Sequence, residues 1–327
     1  MINRSRNFGS FLFGALACMA SGATLAAPPV DLPKQITIIV PFNPGASNDT
    51  FARVLAQKLG PKIGSNVIVD NRPGAGGVIG SGYVSRAAQD GSVLLLTSST
   101  FTTSAAVQTK LPYDPVKAFS PVALLATAPM ILTVGAQTPY KTASDLVADA
   151  RANKGKINFG SAGVGSINHM SAEMLNSMAK TDIMHVPYKG TATAITDMIG
   201  GQVQGMVASP SSIAPALKGG KVRALAVTSA KPSKLVPGVP TLGETVPGYE
   251  VDIWWGIFAP AGVPKPVVDR LNAEIRSIVD TPEMRERFSH EGAEPSTTMS
   301  ADQFASYVRA ELDKWRKVAR EKNITAD

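Results

Sequence analysis

Short β-branched apolar runs alternate with amphipathic helical stretches along almost the whole chain, and this rhythm limits the fold more than any other feature. Ile36-Thr37-Ile38-Ile39-Val40 is continuous and β-branched, as a strand buried on both faces is. Pro41-Phe42-Asn43-Pro44-Gly45-Ala46-Ser47-Asn48 then reads as a turn-rich loop. A helix is expected from about Asp49, with Phe51, Val54, Leu55 and Leu59 on one face and a stop at Gly60 and Pro61. Val67-Ile68-Val69 predicts the next strand, a helix follows from about Val78, and 93–97 reads as a third strand. The second half repeats the pattern. Strands are expected at 131–134, 156–159, 184–187, 203–208 and 223–228, with helices at 143–152 and from about 167 to 178. A strand at 251–258 precedes two or three helices. The last opens on Ser300 and Gln303, spaced as a capping box, and carries Phe304, Val308, Leu312, Trp315 and Ala319 on one face.

Such alternation predicts an α/β protein of two lobes, with mostly parallel sheets flanked by helices. Ligands of open α/β sheets sit beyond the carboxyl ends of the strands. Two strand–loop–helix turns stand there, one in each expected lobe. Around Gly45 the loop 41–49 presents free backbone N–H groups at a helix start, where the helix dipole favours an anion. In Ser161-Ala162-Gly163-Val164-Gly165-Ser166 the glycines permit close backbone approach and the serines offer hydroxyls. Asp49 reads as an N-cap or loop-orienting carboxylate ahead of a direct ligand contact, and His169 as a polar pocket or helix-face residue ahead of a general base. Tyr188 follows a strand and is placed to reach the cleft.

Several function classes fall away. One Cys leaves no disulfide framework and no thiolate cage, and three His leave little for a multi-histidine metal site. The formal charge is +7, but Lys and Arg are dispersed among Asp and Glu, with no basic run to follow a nucleic-acid backbone. Arg72-Pro73-Gly74-Ala75-Gly76-Gly77 follows a strand, yet Ile79 stands where a dinucleotide fingerprint needs Gly, and no phosphate-binding loop exists. No cofactor is expected. Ser166 and His169 are close in sequence, but no nucleophile elbow occurs, so no catalytic residue is assigned.

The N-terminus reads as an export signal over 1–26. Arg4 and Arg6 precede a short apolar stretch, and small residues lead to cleavage after Ala26, with Thr24 at the −3 place. A retained anchor and a lipid-bearing Cys18 are the competing readings. Cleavage would remove Cys18 and leave a cysteine-free exported chain, as suits an oxidising compartment. The expected location is the periplasm.

Over nearly its whole mature length the chain resembles the Bug-type (TctC-like) receptors of tripartite tricarboxylate transporters. The resemblance rests on the order and spacing of Ile38-Ile39-Val40-Pro41-Phe42 with Gly45 and Asp49, Val69-Asp70-Asn71-Arg72-Pro73-Gly74-Ala75-Gly76-Gly77, Leu111-Pro112-Tyr113-Asp114-Pro115, His185-Val186-Pro187-Tyr188-Lys189-Gly190, and Gly256-Ile257-Phe258-Ala259-Pro260-Ala261-Gly262-Val263-Pro264. It implies a two-lobed periplasmic-binding-protein fold, type II-like, with the ligand cleft between lobes. It also implies a non-catalytic receptor that delivers a small organic acid to a membrane permease with one large and one small subunit. In such receptors a carboxylate is held largely by backbone groups and bridging waters.

The lobes are expected at 34–126 with 255–327, and at 127–254. Lobe 1 would offer Phe42, Pro44, Gly45, Ala46, Ser47, Asn48, Asp49, Ser98, Ser99 and Thr100. Lobe 2 would offer Ser161 to Ser166, with Ala162, Gly163, Val164 and Gly165 between them, then His169, Tyr188, Ser209 and Pro210. The ligand is expected to be a di-, tri- or aromatic carboxylate, or an amino acid, and the receptor a monomer. Two departures bear on the ligand. Ala46, Ser47 and Asn48 follow Gly45 where the family commonly carries paired glycines, and Gln204 and Ala208 stand where many relatives have Asp. The missing carboxylate near 208 leans toward a plain carboxylate over an amino acid. The rival reading is a sensor that presents the same solute to a membrane signalling receptor.

Overall fold

Backbone ladders join the predicted strands into two sheets whose shared plan puts the loops at one place. The computed structural model describes residues 1–2, 30–234 and 236–326. Apart from its first two residues, the expected signal segment, with Cys18, lies outside the described residues. The first run is β1 (Gln35–Val40), α1 (Ser47–Ile63), β2 (Asn66–Asn71), α2 (Val78–Val84), β3 (Val93–Ser98), α3 (Thr100–Val107) and β4 (Phe119–Pro129). The second begins with β5 (Ile131–Gly135) and α4 (Ala143–Ala152). It continues through β6 (Asn158–Ser161), α5 (Ile167–Ala179), β7 (Met184–Pro187), α6 (Thr191–Ile199), β8 (Gly205–Ala208), α7 (Pro210–Lys218) and β9 (Val222–Val227). The chain closes with β10 (Asp252–Pro260), α8 (Lys265–Val279), α9 (Pro282–His290), β11 (Glu294–Pro295) and α10 (Ala301–Glu321).

The sheets have the orders β11-β4-β10-β3-β1-β2 and β7-β6-β8-β5-β9. Leaving aside the short β11, both follow one plan: β2-β1-β3-β10-β4 matches β7-β6-β8-β5-β9. In each, one reversed strand sits between the third and fourth members of a parallel set. β10 is antiparallel to β3 and β4, and β5 is antiparallel to β8 and β9. The remaining ladders, β1 with β2 and β3 and β6 with β7 and β8, are parallel. Most strands therefore share a direction, as expected, but the ladders are mixed because the odd strand lies inside the sheet. That odd strand is the one arriving from the other sheet: β5 follows β4 across Met130, and β10 follows β9 across residues 228–251. The two crossings are tied by buried Thr228. Its Oγ1 accepts from Met130 N at 2.7 Å and donates to Val251 O at 2.5 Å.

Local differences from the sequence reading have physical causes. α1 does not stop at Gly60 and Pro61 but runs to Ile63 and ends at Gly64, whose φ of 68° only glycine adopts without strain. Pro61 gives up one backbone donor, a loss the last turns absorb while Ser65 N caps Gly60 O at 3.0 Å. α3 and the long β4 carried no clear sequence signal, since Thr100-Phe101-Thr102-Thr103-Ser104 is poor in helix formers and Pro121 and Pro129 fall in the strand.

α10 belongs to both halves of the core. Its Phe304 and Val308 pack with Phe101, Trp254 and Phe258 of the first sheet's layer. Further on, Trp315, Val318 and Ala319 pack with Leu132, Phe159, Leu175 and Tyr249 of the second. Trp315 is fully buried, and its Nε1 donates to Glu311 Oε2 at 3.1 Å. Trp315→Ala is expected to lower stability by about 3–5 kcal/mol, read as the shift in a urea unfolding transition at constant slope.

Candidate functional site

The common strand order brings the carboxyl ends of β1 and β3 to face those of β6 and β8. Between them lies a cavity of about 350 Å³. One wall holds Phe42 from the loop after β1, Asn48 in the first turn of α1, Gly76, Ser98 at the end of β3, and Thr100 and Ser104 of α3. The facing wall holds Ala162, Val164 and Ser166 from the loop after β6, Ile167 and Asn168 of α5, Thr191 of α6, and Ser209 ahead of α7. Met130 on the first crossing and Ile253 at the start of β10 complete it. No lining side chain carries a charge. The helices α1, α3, α5, α6 and α7 all begin at this cavity, each bringing roughly half a positive elementary charge and unpaired N–H groups.

Of the residues singled out from the sequence, Phe42, Asn48, Ser98, Thr100, Ala162, Val164, Ser166 and Ser209 line the cavity. Most of the others shape its loops. Gly45, at φ 85°, donates its N–H to Asp49 Oδ2 at 2.9 Å. Arg53 Nε donates to the same oxygen at 3.0 Å, and its other arm reaches Asn71 Oδ1. Asn71 Nδ2 in turn holds Phe42 O at 3.2 Å. Burial alone would raise the Asp49 pKa, but the hydrogen bonds from Arg53 and Gly45 outweigh it and hold the carboxyl below its ordinary value. Asp49 thus fastens the loop. Ser47 Oγ accepts from Trp255 Nε1 at 3.3 Å, Ala46 is the N-cap of α1, and Pro44 is exposed. Ser99 is the N-cap residue of α3 and donates its N–H to Trp254 O at 3.0 Å.

The second loop repeats the first. Gly165, at φ 77°, donates its N–H to His169 Nδ1 at 3.2 Å, four residues on, just as Gly45 does to Asp49. Ser166 caps α5, accepting from His169 N at 3.3 Å, and its hydroxyl donates to Gly163 O at 2.7 Å. The Ser166 hydroxyl is therefore not paired to an imidazole, and the His169 ring acceptor is already taken. Ser166 and His169 therefore do not form a nucleophile–base pair. Ser161 Oγ bonds Gly163 N at 3.0 Å and lies 2.5 Å from His185 Nε2. Tyr188 packs beside Gly160 and Pro210 opens α7, both away from the cavity lining.

Sequence reasoning missed Gly76, Ser104, Met130, Ile167, Asn168, Thr191 and Ile253. Ser104 stands one turn after Thr100, and Asn168 two residues past the Ser166 cap, so helical spacing could have found them. Met130 and Ile253 carry no such signal, because a crossing is recognisable only once the sheet order is known.

The profile of the tripartite tricarboxylate transporter family receptor (TctC) matches residues 51–324. The UPF0065 protein of the tcbD-tcbE intergenic region of Pseudomonas sp. (strain P51) is 36% identical over 319 residues, 97% of this chain and 95% of that protein. Among solved structures, the periplasmic binding protein BugD is similar with a TM-score of 0.76 and 33% identity, over 90% of this chain and 100% of BugD. Rpa4515 of R. palustris with adipate has a TM-score of 0.78 and 32% identity, over 89% and 98% of the two chains. MatC (Rpa3494) of Rhodopseudomonas palustris with bound malate has a TM-score of 0.75 and 33% identity, over 87% and 98%.

Behind the second loop, His169 and His185 stack with ring centroids 3.7 Å apart. Burial, with the neighbouring His185, pushes His169 down to about 3, and burial pushes His185 down to about 4. Glu173 Oε1 lies 3.8 Å from His169 Nε2, and its own burial raises its pKa. Both imidazoles are neutral in the folded protein at pH 7, and for His169 the Gly165 bond to Nδ1 requires it. The unfolded chain binds protons at these histidines near pH 6.5, so stability is full above that value and is lost as pH falls toward 4. The slope reaches about 1.4 kcal/mol per pH unit for each histidine. Urea midpoints measured between pH 7 and 5 are expected to fall more steeply for the native chain than for a His169→Gln/His185→Gln variant.

Proposed function

We propose, from the premise that the chain belongs to the tripartite tricarboxylate transporter receptor family, that it captures a small organic carboxylate between two lobes and hands it to a membrane permease with one large and one small subunit. It is a solute-binding protein and not an enzyme, as the family and the solved binding proteins are. The observation that carries the ligand class is the convergence of five helix N-termini on a cavity whose lining side chains are all uncharged. A carboxylate entering it meets aligned N–H donors and hydroxyls, and neutralises a field that the protein itself leaves open. Adipate and malate in two solved neighbours support the same class.

The remaining parts of the proposal follow from the family and the sequence. The N-terminal 1–26 segment directs export to the periplasm and is removed. Residues 34–126 with 255–327 form one lobe and 127–254 the other, with α10 shared by both cores and the two crossings as the hinge. The ligand sites on the lobes are the loops 42–49 and 161–166, together with Ser98, Thr100 and Ser209. Ligand binding shifts the population toward the closed form that the permease recognises.

A panel of mono-, di- and tricarboxylates tests this. At least one acid is expected to raise Tm, with stabilisation of about 2.7 kcal/mol at a hundredfold excess over Kd, and to reduce the radius of gyration in small-angle scattering. A folded, ligand-free protein that neither stabilises nor compacts with any acid of the panel would contradict the proposal.

A further inference from the structure

We infer that the seam between the two halves holds a second solute site, apart from the cleft, for a monocarboxylate with an apolar body. The site is a cavity of about 300 Å³, the size at which small-molecule pockets begin. One wall is α7, which shows Pro210, Ala214 and Leu217 to it, joined by Ile131 of β5 and by Val236 and Pro237 of the loop after β9. The other wall is the last turn of α9 and the bend after it, through Ser289, His290 and Gly292. α9 belongs to the first sheet's layer, where its Phe288 ring meets Phe51 of α1 at 4.8 Å. Each half therefore supplies one wall.

α7 makes the cavity apolar. Its Ile213 and Ala216 are buried in the core beside the second sheet. A surface helix ordinarily spends one apolar face on the core and shows polar residues elsewhere. α7 instead carries a second apolar stripe, Pro210, Ala214 and Leu217, at helical spacing along this cavity. An apolar wall with a few polar groups, at a junction between packed units, is the form that small-ligand sites take.

Charge selects the head group. No acidic side chain lines the cavity, whereas Lys218 and His290 do. Lys218 closes α7, and its ammonium has no ion-pair partner among the described residues. The helix ends offer a cation little in exchange. The carbonyls of Pro215, Ala216 and Leu217 accept from the amides of 219–221, and those of Phe288 and Ser289 from the amides of 291–293. An anionic head thus meets an ammonium and an imidazole N–H, while the body of the molecule takes the apolar wall. A second carboxylate would lie against that wall without a donor, so the class is a monoanion.

The two cavities stand back to back. Met130 and Ser209 line the cleft, and the residues that follow them, Ile131 and Pro210, line the seam. No residue lines both, so backbone amides tell the two sites apart.

The test is a titration of the ¹⁵N-labelled mature protein with hexanoate and benzoate, with hexanol as the neutral analogue and succinate as a dianion without an apolar body. Hexanoate or benzoate is expected to shift the amides of 211–218 and 289–292 to saturation, and hexanol to shift the same amides with about threefold lower affinity, the worth of one exposed charge contact. In Lys218→Gln the hexanoate affinity is expected to fall about threefold while that of hexanol stays. Ala214→Trp fills the cavity and is expected to abolish the seam shifts for every probe. Shifts confined to the cleft amides of 162–168, no saturating shift at the seam, succinate held at the seam as tightly as hexanoate, or hexanoate unaffected by Lys218→Gln would each overturn the inference. None of these outcomes bears on the carboxylate reading of the cleft, which stands or falls on its own panel. The map of shifts in the native protein decides the matter even if Ala214→Trp does not fold.

Discussion

Everything at the site depends on one constraint: two sheets of the same strand order point the carboxyl ends of their parallel strands at each other. A helix that follows a parallel strand begins where that strand ends, so the plan delivers the N-termini of α1, α3, α5, α6 and α7 to one cavity. The reversed strands, β5 and β10, make this possible, because each carries the chain from one sheet into the other and fixes the facing geometry. The cavity's positive field is therefore a property of the backbone, and needs no Lys or Arg in the lining.

A field made of N–H groups is only as sharp as the loops that hold it. In both halves a glycine of positive φ ends the loop and gives its N–H to the side chain four residues later, Asp49 in one case and His169 in the other. The two partners are electrostatically unlike. Asp49 is tied to Arg53 and keeps its charge, whereas His169 is buried against His185 and stays neutral. Neither side chain lines the cavity, so each positions the loop and leaves the cavity wall uncharged. The join between the halves has equally definite parts: Thr228 ties the two crossings together, and α10 plants one end in each core.

The alternation of strands and helices was legible in the sequence because each element announces itself locally, through β-branched runs, apolar faces and caps such as Ser300 with Gln303. The loops around Gly45 and Gly163 were legible for the same reason, as glycine and small polar residues between a strand and a helix. What stayed hidden is what tertiary context decides. Pro61 and Gly60 read as a stop, yet α1 continues because the loss of one backbone bond near its end is tolerated and Gly64 provides the turn. β4 and α3 were obscured by prolines and by Thr- and Ser-rich composition. Met130 and Ile253 become wall residues only through the sheet crossing.

The most direct measurement is a titration of the ¹⁵N-labelled mature protein with a dicarboxylate, followed by backbone amide shifts. The account predicts that amides at the starts of α1 and α3, and of α5 and α7, move together and saturate with a single Kd. Shifts confined to one half of the molecule, or saturating independently in the two, would contradict the claim that both sets of helix N-termini hold one anion.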